Sequence, residues 1–169
     1  MFSTLKNAFK IKEIRVKLLF TFLMLVVIRF GSQLPIPGVN RDYFSSWFEA
    51  QTGGAFSFFD AFTGGSFSRM SVFALNITPY ITSSIIMQLL TIAIPKLEEM
   101  QKDGEDGRKK IASITRYVTV ALALIESAAM AIGFGNQGLL QKYGPLEVIT
   151  VIAVLTAGSA FLMWIGERI

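Results

Sequence analysis

The sequence predicts an all-α, polytopic helical membrane protein. Of its 169 residues 52% are hydrophobic and only 17% are charged, whereas a soluble domain carries about 25% charged residues. The charged residues leave four long stretches with little or no charge. Each is close to the roughly 20 residues that a helix needs to cross the hydrocarbon core of a bilayer. Lysine and arginine also collect in alternate connections between these stretches, as in proteins that cross a membrane several times.

Four spans follow one another along the chain. The predicted spans are residues 17–34, 74–94, 115–134 and 147–166. The predicted connections are a cytoplasmic interfacial segment (1–16), an external loop (35–73), a cytoplasmic loop (95–114), a second external loop (135–146) and a short C-terminal end (167–169). The first apolar run also resembles a signal peptide, but Arg29 and a proline-rich stretch follow it instead of a small-residue cleavage site. We therefore predict a retained anchor.

The basic residues predict the orientation of the spans. Twelve of them lie in the N-terminal segment, in the stretch 95–116 and after the last span, and only Arg41, Arg69 and Lys142 lie in the two opposite connections. Because lysine and arginine resist translocation, both ends of the chain are predicted to be cytoplasmic. The net charge of +4 is then a topology signal, and we expect no direct recognition of nucleic acid by this segment.

The composition excludes several kinds of chemistry. The chain contains neither histidine nor cysteine, so it cannot supply a Ser-His-Asp relay, a thiolate nucleophile, or a zinc or haem site with histidine or cysteine ligands. We expect no catalytic residue, no cofactor and no metal site.

The external loop is unusually apolar. It holds eight of the chain's fifteen phenylalanines and two glycine pairs, at 53–54 and 64–65. One interpretation is a re-entrant segment that folds back into a cavity of the protein, where irregular backbone is tolerated. The other is a phenylalanine-rich helix that lies on the outer leaflet. Composition alone does not separate them.

The second and third spans contain polar residues that a simple anchor does not need. In the second span, Ile77, Ile81, Ile85 and Ile92 form a stripe that fits either core packing or a narrow hydrophobic constriction. Glu126 lies near the centre of the third span, where a charged side chain is costly, so we expect it to face inward in a hydrogen-bonding role. Arg29 lies near the outer end of the first span and can extend outward to water.

Several motifs in consistent order resemble one family. The matching stretches are RFG at 29–31, LPIPG at 34–38, FTGGSFSR at 62–69, FALNITPYIT at 73–82, QLLT at 88–91, GEDGRKKI at 104–111, TRY at 115–117 and FLMWIGE at 161–167. Over its whole length the chain resembles the SecY family, the pore subunits of the bacterial protein-conducting channel. The resemblance implies a SecY-like N-terminal half with a re-entrant plug segment, of which this chain is the first four spans, so we expect a fragment of a longer protein.

The resemblance also implies roles for individual residues. Ile77 and Ile81 match pore-ring positions, where aliphatic side chains surround the passing polypeptide. The implied plug residues are Phe56, Phe58, Phe59, Phe62, Gly64, Gly65, Phe67, Ser68 and Arg69. The implied lateral-gate residues are Thr82, Ile85, Gln88 and Glu126, and many bacterial relatives have an amide at the position of Glu126.

The function implied by the resemblance is protein translocation in the bacterial plasma membrane, without catalysis. Unfolded secretory proteins would cross through the channel, and membrane-protein helices would leave it laterally into the lipid bilayer. The implied partners are the SecE and SecG subunits, the SecA motor or a ribosome on the cytoplasmic side, and signal sequences with the polypeptides that follow them. A secondary transporter for a small solute is the alternative, suggested by the proline-containing polar second span and by Glu126.

Overall fold

The computed structural model describes residues 9–50, 54–138, 140, 142 and 144–169. Half of the predicted interfacial segment, residues 1–8, and the side chain of Phe56 lie outside the described residues. In the described part the chain is helical apart from turns and two isolated β-bridges. The helices are α1 (Lys12–Gly31), α2 (Arg41–Ala50), α3 (Ala55–Thr63), α4 (Thr78–Ala93), α5 (Pro95–Lys102), α6 (Glu105–Asn136) and α7 (Pro145–Arg168).

Two helices, α6 and α7, are long and apolar enough to cross a membrane. A third span is added if α4 and α5 are taken together, although their axes differ by 101°. Pro95 explains this bend, because a residue that precedes proline is driven out of the helical region, and Ile94 is extended with φ −111° and ψ 111°. The first predicted span overlaps α1, which carries four charged residues in its first six positions and Arg29 in its last turn. Its assignment as a span stays a prediction.

Small and polar residues form the contacts among α4, α6 and α7. Along α6 the buried residues recur at every fourth position, from Thr115 and Thr119 through Ala123, Ser127 and Ala131. Helices in lipid gain little from burying apolar surface against one another, so they associate through close backbone approach and interhelical hydrogen bonds. The spacing places one continuous narrow stripe of α6 against its neighbours.

Gly158 marks a close approach of two backbones in this bundle. A Cβ atom added there would lie 2.1 Å from the carbonyl oxygen of Val72, in the backbone stretch just before α4. Only glycine permits this contact, which holds the middle of α7 against the chain that leads into α4.

The segment 35–73 leaves the end of α1 and returns to it. Ile36 donates its N–H to the carbonyl of Met70 at 3.1 Å, and Val72 donates to the carbonyl of Leu34 at 3.0 Å. Between these bonds, α2 and α3 enclose an aromatic cluster with Phe44 at its centre. The rings of Phe67 and Phe134 approach that of Phe44 edge to face, at 6.0 and 5.2 Å between centroids. The segment is therefore folded and closed at its base, and it shares its core with α6 and α7.

Candidate functional site

Helix α4 presents two opposite faces. Its buried face consists of Pro79, Ser83, Met87 and Thr91. On the other side, Ile81 and Ile85 are each 52% exposed, and Ile92 is still more exposed. A difference of two positions rotates a side chain by about 200° around a helix, so the isoleucine stripe and the buried stripe point in opposite directions. Of the two interpretations of the stripe, packing within this chain does not account for Ile81 and Ile85.

The two predicted pore-ring residues have different surroundings. Ile81 is half exposed on the open face of α4. Ile77 precedes the first turn of α4 and is partly buried. Its terminal methyl lies 3.5 Å from the position that a Cβ atom would take at Gly166 of α7. Ile77 therefore has a packing role within this chain that Ile81 does not have.

The predicted gate residues are divided between two helices. On α4, Thr82 donates to the carbonyl of Thr78 at 3.0 Å, and the Gln88 amide lies 3.5 Å from the hydroxyl of Ser84. Glu126 is half-buried on α6 and has no hydrogen-bond or ion-pair partner among the described residues. The Ser83–Thr119 contact joins the two helices about 10 Å along α6 from Glu126, given a rise of about 1.5 Å per residue. The structure thus places Glu126 two turns away from this contact.

The predicted plug segment (residues 56–69, called the plug segment below) begins with α3, which also has two faces. Phe58 and Phe62 are 69% and 71% exposed, and their rings contact each other edge to face at 4.9 Å. Phe59 points the other way and packs on Phe67 at 5.2 Å. Phe67 is only 5% exposed and belongs to the aromatic cluster. The segment is therefore anchored on one side, with two phenylalanine rings free on the other.

The turn after α3 is held by its own side chains. Gly64 ends the helix in the left-handed conformation (φ 63°), which glycine adopts without strain. The Asp60 carboxylate accepts the N–H of Ser68 at 2.9 Å, and the Thr63 hydroxyl accepts the N–H of Phe67 at 3.2 Å. Gly65 also has a positive φ, and its carbonyl accepts the Ser68 hydroxyl at 3.3 Å. These bonds within the turn help to define the shape of residues 60–68.

Three polar side chains connect this segment to the rest of the chain. Arg29, at the end of α1, donates to the carbonyl of Gly64 at 3.1 Å. Asn76, just before α4, donates from its amide to the carbonyl of Phe62 at 3.4 Å. Arg69 donates to the side-chain oxygen of Gln33. The sequence alone indicates no such role for Arg29 or Asn76, because both bonds join residues far apart in the chain.

Hydroxyl groups link α4 to α6, α6 to α7, and α7 to the backbone just before α4. Ser83 of α4 and Thr119 of α6 hydrogen-bond to each other. Ser127 of α6 and Thr156 of α7 do so at 3.1 Å. Ser159 of α7 donates to the backbone carbonyl of Asn76 at 3.1 Å. Together with the Arg116–Glu167 ion pair at 2.7 Å, these contacts join α4, α6 and α7 into one unit.

A groove of about 650 Å³ lies where α4, α5 and α6 meet. Its walls include Gln88 and Ser84 from α4, Gln101 from α5 and Arg108 from α6. Across the described residues there is no cluster of three or more acidic side chains that could hold a metal ion. The groove offers both polar and apolar surface for contact.

Comparison with known proteins identifies the family. The SecY family model matches residues 71–169. The protein translocase subunit SecY of Halalkalibacterium halodurans is 45% identical over 172 residues, which is 100% of this chain and 39% of the relative. That of Bacillus subtilis is 43% identical over 173 residues, again 100% of this chain and 39% of the relative. That of Pseudomonas aeruginosa is 43% identical over 159 residues, 94% of this chain and 36% of the relative.

The chain thus spans about two fifths of the length of the curated relatives it matches. The match includes the stretch from Ser71 that leads into α4, all of α4 to α7, and the predicted pore-ring positions. The apolar helices identify a membrane protein. Sequence, helical architecture and family match agree, and the chain belongs to the SecY family.

Proposed function

We propose that the protein containing this chain is the channel-forming subunit of the Sec translocon, and that the chain forms part of its pore. The observation that carries the proposal is the exposed isoleucine face of α4, in a chain whose plug segment is bonded to Asn76 just before that helix. Ile81 and Ile85 are half exposed although they lie in a helix whose other face is fully packed. Such side chains suit a surface completed by the rest of the longer protein.

The physical requirement of a protein channel supports this assignment. A pore for unfolded polypeptides has to open without leaking ions when it is empty. A ring of aliphatic side chains dewets when nothing fills it and deforms around a passing chain. In the proposal, Ile77 and Ile81 contribute to this ring. The plug residues add a second seal on the outer side, with Phe58 and Phe62 facing the pore.

The proposed lateral gate lies along the same side of α4. Thr82, Ile85 and Gln88 would form one edge, and Glu126 would contribute from α6. Interhelical hydrogen bonds in membranes contribute only about 0.6 to 2 kcal/mol each, so a seam built on a few of them can part and close reversibly. A hydrophobic signal helix would leave the pore through this seam into lipid.

The partners and the location belong to the same proposal. SecE and SecG would complete the complex, and the SecA motor or a ribosome would act from the cytoplasm on signal sequences and the polypeptides attached to them. The complex would lie in the bacterial plasma membrane, with both ends of this segment cytoplasmic, as the lysine and arginine distribution favours. The subunit would catalyse no reaction, and the relatives' names favour it over the alternative, a small-solute transporter.

The proposal is tested by crosslinking in the full-length protein with its partner subunits. A photoreactive side chain at Ile81 should capture a precursor protein arrested during translocation. The matched control is the same probe at Ile149, which is exposed on a different helix, α7, and it should capture none. Equal capture at both positions, or saturable uptake of a small solute with no capture at Ile81, would reject the channel.

A further inference from the structure

The C-terminal end of α3 leaves one backbone acceptor that its own turn does not satisfy. The last carbonyls of a helix have no partner within it. Here Gly65, Gly64 and Ser66 donate their N–H groups to the carbonyls of Asp60, Ala61 and Thr63. Among the described residues, no backbone N–H donates to the carbonyl of Phe62, which accepts the side chain of Asn76 instead.

Asn76 is fixed on its other side to α7. Its backbone has a positive φ of 52°, a conformation that asparagine tolerates better than most residues. Its own carbonyl accepts the hydroxyl of Ser159 at 3.1 Å. The residue therefore joins the end of α3 to the packed unit of α4, α6 and α7, one position before Ile77.

Arg29 approaches the same helix end from a different element. Its guanidinium donates to the carbonyl of Gly64, the residue that caps α3. A cation is favoured at the C-terminal end of a helix, where the backbone dipoles leave partial negative charge. Arg29 also lies in the last turn of α1, so its charge is placed between the C-terminal ends of two helices.

We propose that Arg29 and Asn76 form a two-point latch that holds the plug segment in its closed position. The inference rests on the proposed channel function and adds the means by which the closed state is stabilised. One point of the latch belongs to α1 and the other to the packed helices. If α3 moves away from α1, the bond from Arg29 has to break. If α3 moves away from the packed helices, the bond from Asn76 has to break. If the plug segment leaves the pore, both bonds have to break. Arg29 and Asn76 are positioning residues for the plug and need not touch the translocating chain.

The latch predicts that the empty channel opens more often when either bond is removed. Arg29→Gln removes the charge, and loss of a hydrogen bond with a charged donor should raise the ratio of open to closed channels about tenfold or more. Asn76→Gly keeps the positive φ and removes only the amide, so it should raise the ratio by about two- to tenfold. In the double variant the two increases in this ratio should multiply, because one bond connects α3 to α1 and the other connects it to the packed helices.

The experiment measures the conductance of resting full-length complexes in planar bilayers, together with precursor transport in vesicles. Arg41→Gln is the matched control, since it removes an exposed arginine of the same external segment that lies on α2. It should leave conductance unchanged. Arg29→Lys keeps the cation and should fall between the native protein and Arg29→Gln, which also keeps the test decisive if the glutamine variant is poorly produced.

The outcomes separate the latch from the proposed function. Raised conductance in Arg29→Gln and Asn76→Gly, with precursor transport and thermal stability retained, would support the latch. Conductance equal to that of Arg41→Gln, in complexes that still transport precursors, would overturn the latch and leave the channel standing. A native complex that neither transports precursors nor captures them at Ile81 would overturn the proposed function itself.

Discussion

The hydroxyl groups of Ser83 and Thr119 hydrogen-bond to each other across the contact between α4 and α6, and both residues are fully buried. Each hydroxyl also lies within hydrogen-bonding distance of a carbonyl of its own helix, Ser83 of Tyr80 at 2.9 Å and Thr119 of Thr115 at 2.7 Å, so two hydroxyl protons serve three contacts. Neither polar group depends on the other for a partner. The contact therefore stabilises the packing of α4 on α6 as much through the small size of both residues as through the hydrogen bond.

Substitutions at Ser83 should separate size from hydrogen bonding. Ser83→Ala should cost about 0.6 kcal/mol, the average for an interhelical hydrogen bond in a membrane protein. Ser83→Leu should cost about 1–3 kcal/mol, because the extra volume forces the helices apart. Thermal unfolding of the full-length complex in detergent measures both. Ser113→Leu, on the exposed side of α6, should have little effect, and equal losses at the two serines would contradict the close contact.

Gly158 should tolerate no side chain. In Gly158→Ala the new methyl group would lie 2.1 Å from the Val72 carbonyl oxygen, a backbone atom that cannot rotate away. We expect a loss of about 1–3 kcal/mol, as for other overpacked sites, seen as a lower unfolding temperature. The matched control is Gly133→Ala on α6, where no atom lies within 4 Å of the added carbon. That variant should be neutral or slightly stabilised, since alanine favours a helix more than glycine does.

Hydropathy locates the apolar parts of the long helices and not their ends. Predicted spans 115–134 and 147–166 lie within α6 and α7, but α6 begins ten residues earlier, at Glu105. Its first turns are charged, so no apolar pattern marks them. The bend after Ala93 can be predicted from Pro95, because proline restricts the backbone of the residue before it. Patterns of composition thus identify the helices, and local backbone chemistry explains where α4 stops.

The contacts around the plug segment could not be predicted from the sequence in this way. The bonds from Arg29 to Gly64 and from Asn76 to Phe62 join residues 35 and 14 positions apart. No periodicity encodes such pairs, since they depend on how the segment 35–73 returns to the end of α1. The family resemblance supplied the plug, pore-ring and gate positions, and these assignments stay predictions. The resemblance implied nothing about the latch formed by Arg29 and Asn76.

Removal of the Phe67 ring should destabilise the segment 35–73. Phe67 lies in the aromatic cluster and contacts the rings of Phe44, Phe48, Phe59 and Phe134. Phe67→Ala should cost about 3–5 kcal/mol, as expected for a buried phenylalanine. Limited proteolysis of the segment and thermal unfolding would both report the loss.

Phe58 provides the comparison for Phe67, because its ring is exposed on the opposite face of the same segment. Phe58→Ala should leave the unfolding temperature within about one degree of the native value, as surface substitutions usually change stability by less than about 0.5 kcal/mol. If the two variants unfolded alike, the two-faced arrangement of the plug segment would be wrong.

Glu126 should influence the gate through its polarity. It is half-buried on α6, and the described residues offer it no partner. Glu126→Leu should lower the hydrophobicity that a signal sequence needs to enter the membrane, because an apolar seam favours an apolar helix. Glu126→Gln keeps a hydrogen-bonding group and should change the threshold less. The measurement is the export and insertion of a series of signals of graded hydrophobicity. An identical threshold in all three proteins would remove Glu126 from the gate.

The two pore-ring candidates should respond differently to the same substitution. Ile81 is half exposed, so Ile81→Ser should leave thermal stability nearly unchanged while it raises ion leakage through the resting channel, because a hydroxyl helps to wet the constriction. Ile77 also packs beside Gly166, so Ile77→Ser should raise leakage and lower the unfolding temperature as well. Conductance in planar bilayers and thermal unfolding of the same full-length preparations separate the two effects. Unchanged conductance in both variants would mean that the isoleucines serve only in packing.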